Sequence, residues 1–236
     1  SNWESTLWHE FCHVVTLNKT HNKMPRWLSE GISVYEERLA NPSWGERMTP
    51  QYRAMILGQD LTPVSQLSSA FLRPASPMHL QFAYYESSLV VEHLIEKYGL
   101  EMIRQVLTDL GAGIPINEAL GRHAGGISAI DQEFAEYAKK RAREMAPKAD
   151  WSQPEILAAP SSPAGAIPPA ATQVSEETLR EWLKTHENNY PALLALARLQ
   201  IRARNFDAAK ETLEKLRELY PEDGTAASPH KLLAEV

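Results

Sequence analysis

His9-Glu10-Phe11-Cys12-His13, followed by Trp27-Leu28-Ser29-Glu30-Gly31, is the stretch on which the reading of this chain turns. Two histidines four residues apart on a helix point the same way, because 3.6 residues make a turn, so both imidazoles can reach one ion. Glu10 lies beside that face and is placed to act as a base toward water rather than as a ligand, the division of labour that the HExxH spacing supplies. Such a match arises by accident in roughly one chain in a hundred of this length and composition, so it needs a second condition. Zinc supplies one: a catalytic site takes three protein ligands and leaves the fourth position to water. Glu30, on a second expected helix, is the candidate third ligand, ahead of Glu36 and Glu37. Glu37, two turns beyond Glu30, can also orient a ligand from behind.

His9-Glu10-x-x-His13, sixteen intervening residues, and then Glu30 within Trp27-Leu28-Ser29-Glu30-Gly31-Ile32-Ser33 resembles the gluzincin metallopeptidases, and within them the peptidase MA-like domains often joined to tetratricopeptide repeats. Related aminopeptidases read Asn-Glu-Gly-Phe-Ala where this chain reads Ser29-Glu30-Gly31-Ile32-Ser33, and their spacer is slightly longer. The resemblance implies a zinc ion on His9, His13 and Glu30, Glu10 as general base, and hydrolysis of a peptide or protein substrate. It also implies a tyrosine donating to the oxyanion. Within Tyr84-Tyr85-Glu86-Ser87-Ser88, alignment of the following apolar helix assigns that part to Tyr84, with Tyr85 as the fallback. Glu86 departs from the lysine or glutamine of some relatives. Gluzincins place a β-sheet upstream of the first ligand helix, whereas only eight residues precede His9 here. The chain is therefore expected to be an excised or processed piece.

Composition bounds the remaining possibilities. The 236 residues are 43% hydrophobic and 23% charged, ordinary globular usage, with room for one fair-sized domain and a small one. A formal net charge of −6 offers no basic field to displace counterions from phosphates, which argues against a nucleic-acid partner. No uninterrupted apolar run approaches the length of about eighteen residues that spans a bilayer. The lone cysteine, Cys12, cannot form an internal disulfide and reads as a small buried hydrophobe.

Helix signals dominate the pattern. Leu7, Trp8, Phe11, Cys12, Val14 and Val15 predict a helix over 3–17 that is buried on most sides. Pro25 opens a second helix to about Leu39, in which Gly31 permits close backbone approach. Thr49-Pro50, Thr62-Pro63 and Ser76-Pro77 each set a capping hydroxyl before a proline suited to the first helical turn. The last of these opens a long helix ending at Tyr98-Gly99. Further helices are expected over 101–110, 116–120 and 127–145, and no run alternates as a strand does. His79, His93, His123, His186 and His230 lack a metal-site pattern, while His21 can line the cleft.

The expected fold is mainly α: the helical lobe of a zincin-like metallopeptidase over 1–146, a Pro/Ala-rich linker over 147–174, and a helical segment similar to tetratricopeptide repeats over 175–236. Trp151, Ile156, Leu157 and Ile167 are candidate anchors for the linker. Tyr190 to Asp223 resembles one 34-residue repeat, with Leu193, Leu196 and Ala197 packing from its first helix and Ala209 and Leu213 from its second. This segment implies a protein partner. The competing reading is an inactive peptidase-like scaffold that binds through those helices. A purely structural zinc site would need a fourth protein ligand, and none is evident.

Overall fold

A computed structural model describes residues 3–157, 174–225 and 228–236. The expected anchor Ile167 and most of the Pro/Ala-rich stretch lie outside these. Among the described residues there are twelve α-helices and no strand, so the structure is mainly α as the sequence implies. The chain divides into two compact units, residues 1–145 and 146–236.

The first unit contains α1 (Trp3–Thr20), α2 (Arg26–Ala40), α3 (Pro50–Leu57), α4 (Leu67–Leu72), α5 (Pro77–Tyr98), α6 (Leu100–Gly111), α7 (Ile116–His123) and α8 (Ile127–Glu144). Its centre is α5, whose ends follow local chemistry. The Ser76 hydroxyl accepts from the His79 N–H, Pro77 occupies the first turn, and Gly99 at φ +83° terminates the helix in a conformation that side chains disfavour. Phe82, Leu89, Val90, Val91 and Leu94 of α5 are buried with Trp27 and Leu28 of α2, and with Ile130 and Phe134 of α8. Each such side chain contributes about 1.5–3 kcal/mol by leaving water. Between α2 and α5 the backbones approach closely: a Cβ at Gly31 would lie 2.7 Å from the Ser87 carbonyl oxygen. Glu92 of α5 accepts from Arg38 of α2 at 2.7 Å, and from Tyr137 and Arg141 of α8 at 3.1 and 2.8 Å. These contacts hold α2, the carrier of Glu30, in fixed register on the core.

Two expectations need correction. The first helix is not buried on most sides: Trp3, Leu7, Trp8, Phe11, Val14 and Val15 are exposed, and its only buried residues are Thr16 and Thr20. Its inward stripe is polar, running through Ser5, His9, His13, Thr16 and Thr20. The Thr16 and Thr20 hydroxyls donate to the carbonyls of Cys12 and Thr16 one turn back, which satisfies them inside the protein. Apolar residues say which face gains from burial, and here nothing among the described residues covers that face. Cys12 accordingly is half-buried rather than buried. The second correction concerns Thr62-Pro63, which starts no α-helix. Pro63 precedes a short 3₁₀ turn, Val64–Gln66, and the Thr62 N–H donates instead to the buried Glu86 carboxylate.

The second unit contains α9 (Glu176–Leu183), α10 (Tyr190–Arg202), α11 (Phe206–Leu219) and α12 (Pro229–Leu233). α10 and α11 pack as a pair through the expected Leu193, Leu196, Ala197, Ala209 and Leu213, all buried. The Tyr190 hydroxyl donates to Asp223 at 2.6 Å, closing the pair. Part of the stretch read as linker is folded into this unit. The Asp150 N–H donates to the Asn188 carbonyl and its carbonyl accepts from the Tyr190 N–H at the start of α10, and the Trp151 ring lies 4.8 Å from that of Tyr190.

Candidate metal centre

The inward polar stripe of α1 meets a polar stripe on α2 formed by Arg26, Ser29, Glu30, Ser33 and Glu37, spaced so that all five share one side of the helix. His9, His13 and Glu30 come together there, with one ligand-type atom from each lying within 4.8 Å of the others. His9 Nε2 is 3.3 Å and His13 Nε2 3.5 Å from the same oxygen, Oε2 of Glu30. Tetrahedral zinc with bonds near 2.05 Å separates its ligand atoms by about 3.3 Å, so these two spacings fit.

The ring nitrogens that face away are also engaged. His13 Nδ1 is 2.8 Å from the Ser29 hydroxyl and 3.3 Å from that of Ser33, and His9 Nδ1 is 3.5 Å from Oε2 of Glu37. At His9 the Glu37 carboxylate can only accept, which favours a proton on Nδ1 and leaves Nε2 as the donor to an ion; at His13 the two hydroxyls fix the ring's orientation. Glu37 is buried and its other oxygen accepts from Ser5 at 2.7 Å, so it ties two turns of α1 to α2. The three donors are therefore held by a second layer of polar groups, and the residues present fit a zinc ion. Among the described residues no fourth protein donor belongs to the group.

The two carboxylates favour a protonated imidazole at His9. The hydrogen bond to Glu30 and then that to Glu37 push His9 up to about 9, against the opposing effect of burial. Burial works to raise the Glu30 carboxyl, but His9, Arg26 and the neighbouring positive charges outweigh it and hold that group below its ordinary value. Metal binding at such a site must release the imidazole proton. Burial, then the nearby Glu36 and Glu37, push the Cys12 thiol up to about 11, so it is a protonated neighbour rather than a thiolate ligand.

Glu10 lies on the exposed side of α1 next to His9. The two tyrosines of α5 have different surroundings. Tyr85 is a core residue, stacked on Tyr52 with ring centres 5.2 Å apart. Tyr84 is half-buried, and its hydroxyl oxygen accepts from Arg26 Nη2 at 2.7 Å, while Arg26 Nε donates to Oε1 of Glu30 at 3.2 Å. Because a guanidinium only donates, the Tyr84 proton stays available to another acceptor. Glu36 does not join the trio. Three of the other histidines have partners away from the trio: His79 faces Asp60 at 3.4 Å, His123 faces Asp109 at 3.1 Å, and His230 contacts the Pro221 carbonyl at 2.8 Å.

The structure brings the three expected residues together and adds Ser5, Arg26, Ser29 and Ser33 around them, which the sequence analysis does not single out. Their signal is the spacing 26, 29, 30, 33 and 37, a polar stripe along a helix whose opposite side carries Trp27, Leu28 and Ile32.

A family model described as the peptidase MA superfamily matches residues 2–138, and a tetratricopeptide repeat model matches residues 171–235. No curated protein and no solved structure matches the chain.

Proposed function

The chain belongs to the peptidase MA superfamily and carries a tetratricopeptide repeat, and from that premise we propose that it is a zinc-dependent metallopeptidase hydrolysing peptide bonds with Glu10 as general base. The observation that carries the proposal is the convergence of two imidazole Nε2 atoms on one Glu30 oxygen, with both Nδ1 atoms engaged from behind. A zinc ion held by His9, His13 and Glu30 would supply Lewis acidity, activating a water near neutral pH and polarising the scissile carbonyl.

Glu10 takes a proton from the attacking water and later passes it to the leaving amine. It has the freedom to do so because its carboxylate is exposed beside His9 and not engaged in the trio. Tyr84 donates its hydroxyl proton toward the carbonyl oxygen as negative charge develops there. Glu37, Ser29 and Ser33 keep the imidazoles oriented through the cycle.

The test is digestion of a peptide library by the purified wild-type protein and by Glu10→Gln, with zinc content measured on both. Cleavage by the wild type alone, at equal zinc content, supports the proposal. Equal cleavage by both rules out Glu10 as the base. The repeat-bearing second unit supports an accompanying reading, in which α9 to α12 dock a protein partner or substrate. If neither form cleaves while the protein retains a peptide ligand, that scaffold reading replaces catalysis.

A further inference from the structure

Arg26 links the metal trio to the candidate tyrosine. The Nε–H and Nη2–H of arginine lie on the same edge of the planar guanidinium, and here that edge is shared between two acceptors, Oε1 of Glu30 at 3.2 Å and the Tyr84 hydroxyl at 2.7 Å. The side chain is 57% exposed, and two aromatic rings flank the guanidinium on its protein side. Its Cζ lies 5.4 Å from the Phe71 ring centre and 5.9 Å from that of Tyr84, and these two rings meet edge to face at 5.2 Å. The two oxygens of Glu30 are thus divided: Oε2 faces His9 and His13, and Oε1 faces Arg26.

We propose that Arg26 is a positioning residue that keeps Glu30 a one-oxygen ligand and holds the Tyr84 hydroxyl beside it. A carboxylate with both oxygens free can chelate an ion and fill the position that a hydrolase must leave to water. With Oε1 held by a charge-assisted hydrogen bond, Glu30 offers Oε2 alone. The same guanidinium fixes the tyrosine oxygen while leaving its proton to be donated, which no carboxylate or amide carbonyl in that place would do. Lysine has three N–H donors but no planar edge, so it would hold the two acceptors without fixing their relative orientation. The inference rests on the metal reading above and deepens it.

The test uses Co(II) in place of zinc, because the strength of its visible d–d absorption reports coordination number: four-coordinate cobalt absorbs several times more strongly than five- or six-coordinate cobalt. Wild type, Arg26→Gln, Arg26→Lys and Tyr84→Phe are each loaded with one cobalt per chain. Wild type and Tyr84→Phe are expected to give the strong four-coordinate spectrum. Both Arg26 variants are expected to bind cobalt but to lose at least about half of that absorption. An Arg26→Gln spectrum equal to wild type overturns the inference. So does a wild-type spectrum already at the weak level, or a Tyr84→Phe spectrum that falls as far as Arg26→Gln. Full recovery in Arg26→Lys would show that charge alone suffices, and likewise overturns it. If wild type takes up no cobalt, the metal reading itself falls; uptake with an unaltered Arg26→Gln spectrum removes only the role of Arg26.

Discussion

Gly31→Ala tests how Glu30 is presented, because the glycine adjoins that residue where α2 comes close to the α5 backbone. An added Cβ would sit 2.7 Å from the Ser87 carbonyl oxygen, 2.8 Å from its carbonyl carbon and 3.1 Å from its Cβ, whereas ordinary contact begins at 3.4 Å. The obstacle is mostly backbone inside a long helix, so no side chain can swing aside. Overpacking of this kind costs about 3 kcal/mol at its upper end. Alanine returns about 1 kcal/mol through its better helix propensity. The net loss of about 2 kcal/mol corresponds to a fall in Tm of about 6 °C for a unit of this size. Gly121→Ala in α7 is the control, since its Cβ would meet nothing closer than 3.8 Å. It should be neutral or stabilising by up to about 1 kcal/mol. Thermal melts and urea titrations of the two variants measure the difference. A Gly31→Ala protein as stable as wild type would refute the seating of α2 on α5 and, with it, the placement of Glu30.

Glu86 should make stability fall as pH rises. The buried carboxyl has one oxygen without a partner, and burial pushes it up to about 8 from an ordinary 4.5. The folded state therefore binds more protons than the unfolded one across that window, so the contribution is complete below about pH 4.5 and lost as pH climbs through about 8. At about 1.4 kcal/mol per pH unit the ceiling is about 5 kcal/mol. Unfolding free energies of wild type and Glu86→Gln at several pH values check this: the variant should lack the slope, and parallel curves would be contrary to it. Glu37→Gln should weaken zinc binding about 10- to 100-fold by loosening the His9 ring, as read by chelator competition; unchanged affinity would mean that Glu37 orients nothing. Tyr84→Phe should leave zinc content intact and lower kcat by about 100-fold or more, and undiminished turnover would remove it from the chemistry.

What was legible in the sequence depended on whether the signal was local. The bounds of α5 could be read because Ser76, Pro77 and Gly99 act on their own backbone. The grouping of His9, His13 and Glu30 was legible because helix periodicity and metal chemistry restrict the same residues. The environment of α1 was not legible: its apolar pattern identifies a face that gains from burial, but no periodicity says whether the same chain supplies the cover. Thr62 misled for a related reason. Its N–H serves a buried carboxylate 24 residues away, and a long-range contact of that kind leaves no local trace. Arg26 carries no local signal, because a charged residue in a first helical turn is ordinarily solvated; it is exposed here too, and its link to the site comes from Tyr84, 58 residues further on.

The most direct test is metal stoichiometry by elemental analysis after dialysis against trace zinc, on wild type, Glu10→Gln and Glu30→Ala. The account predicts about one zinc per chain in wild type and in Glu10→Gln, and essentially none in Glu30→Ala, because a three-ligand site does not survive loss of its only oxygen donor. Equal zinc in all three proteins, or none in wild type, would contradict it.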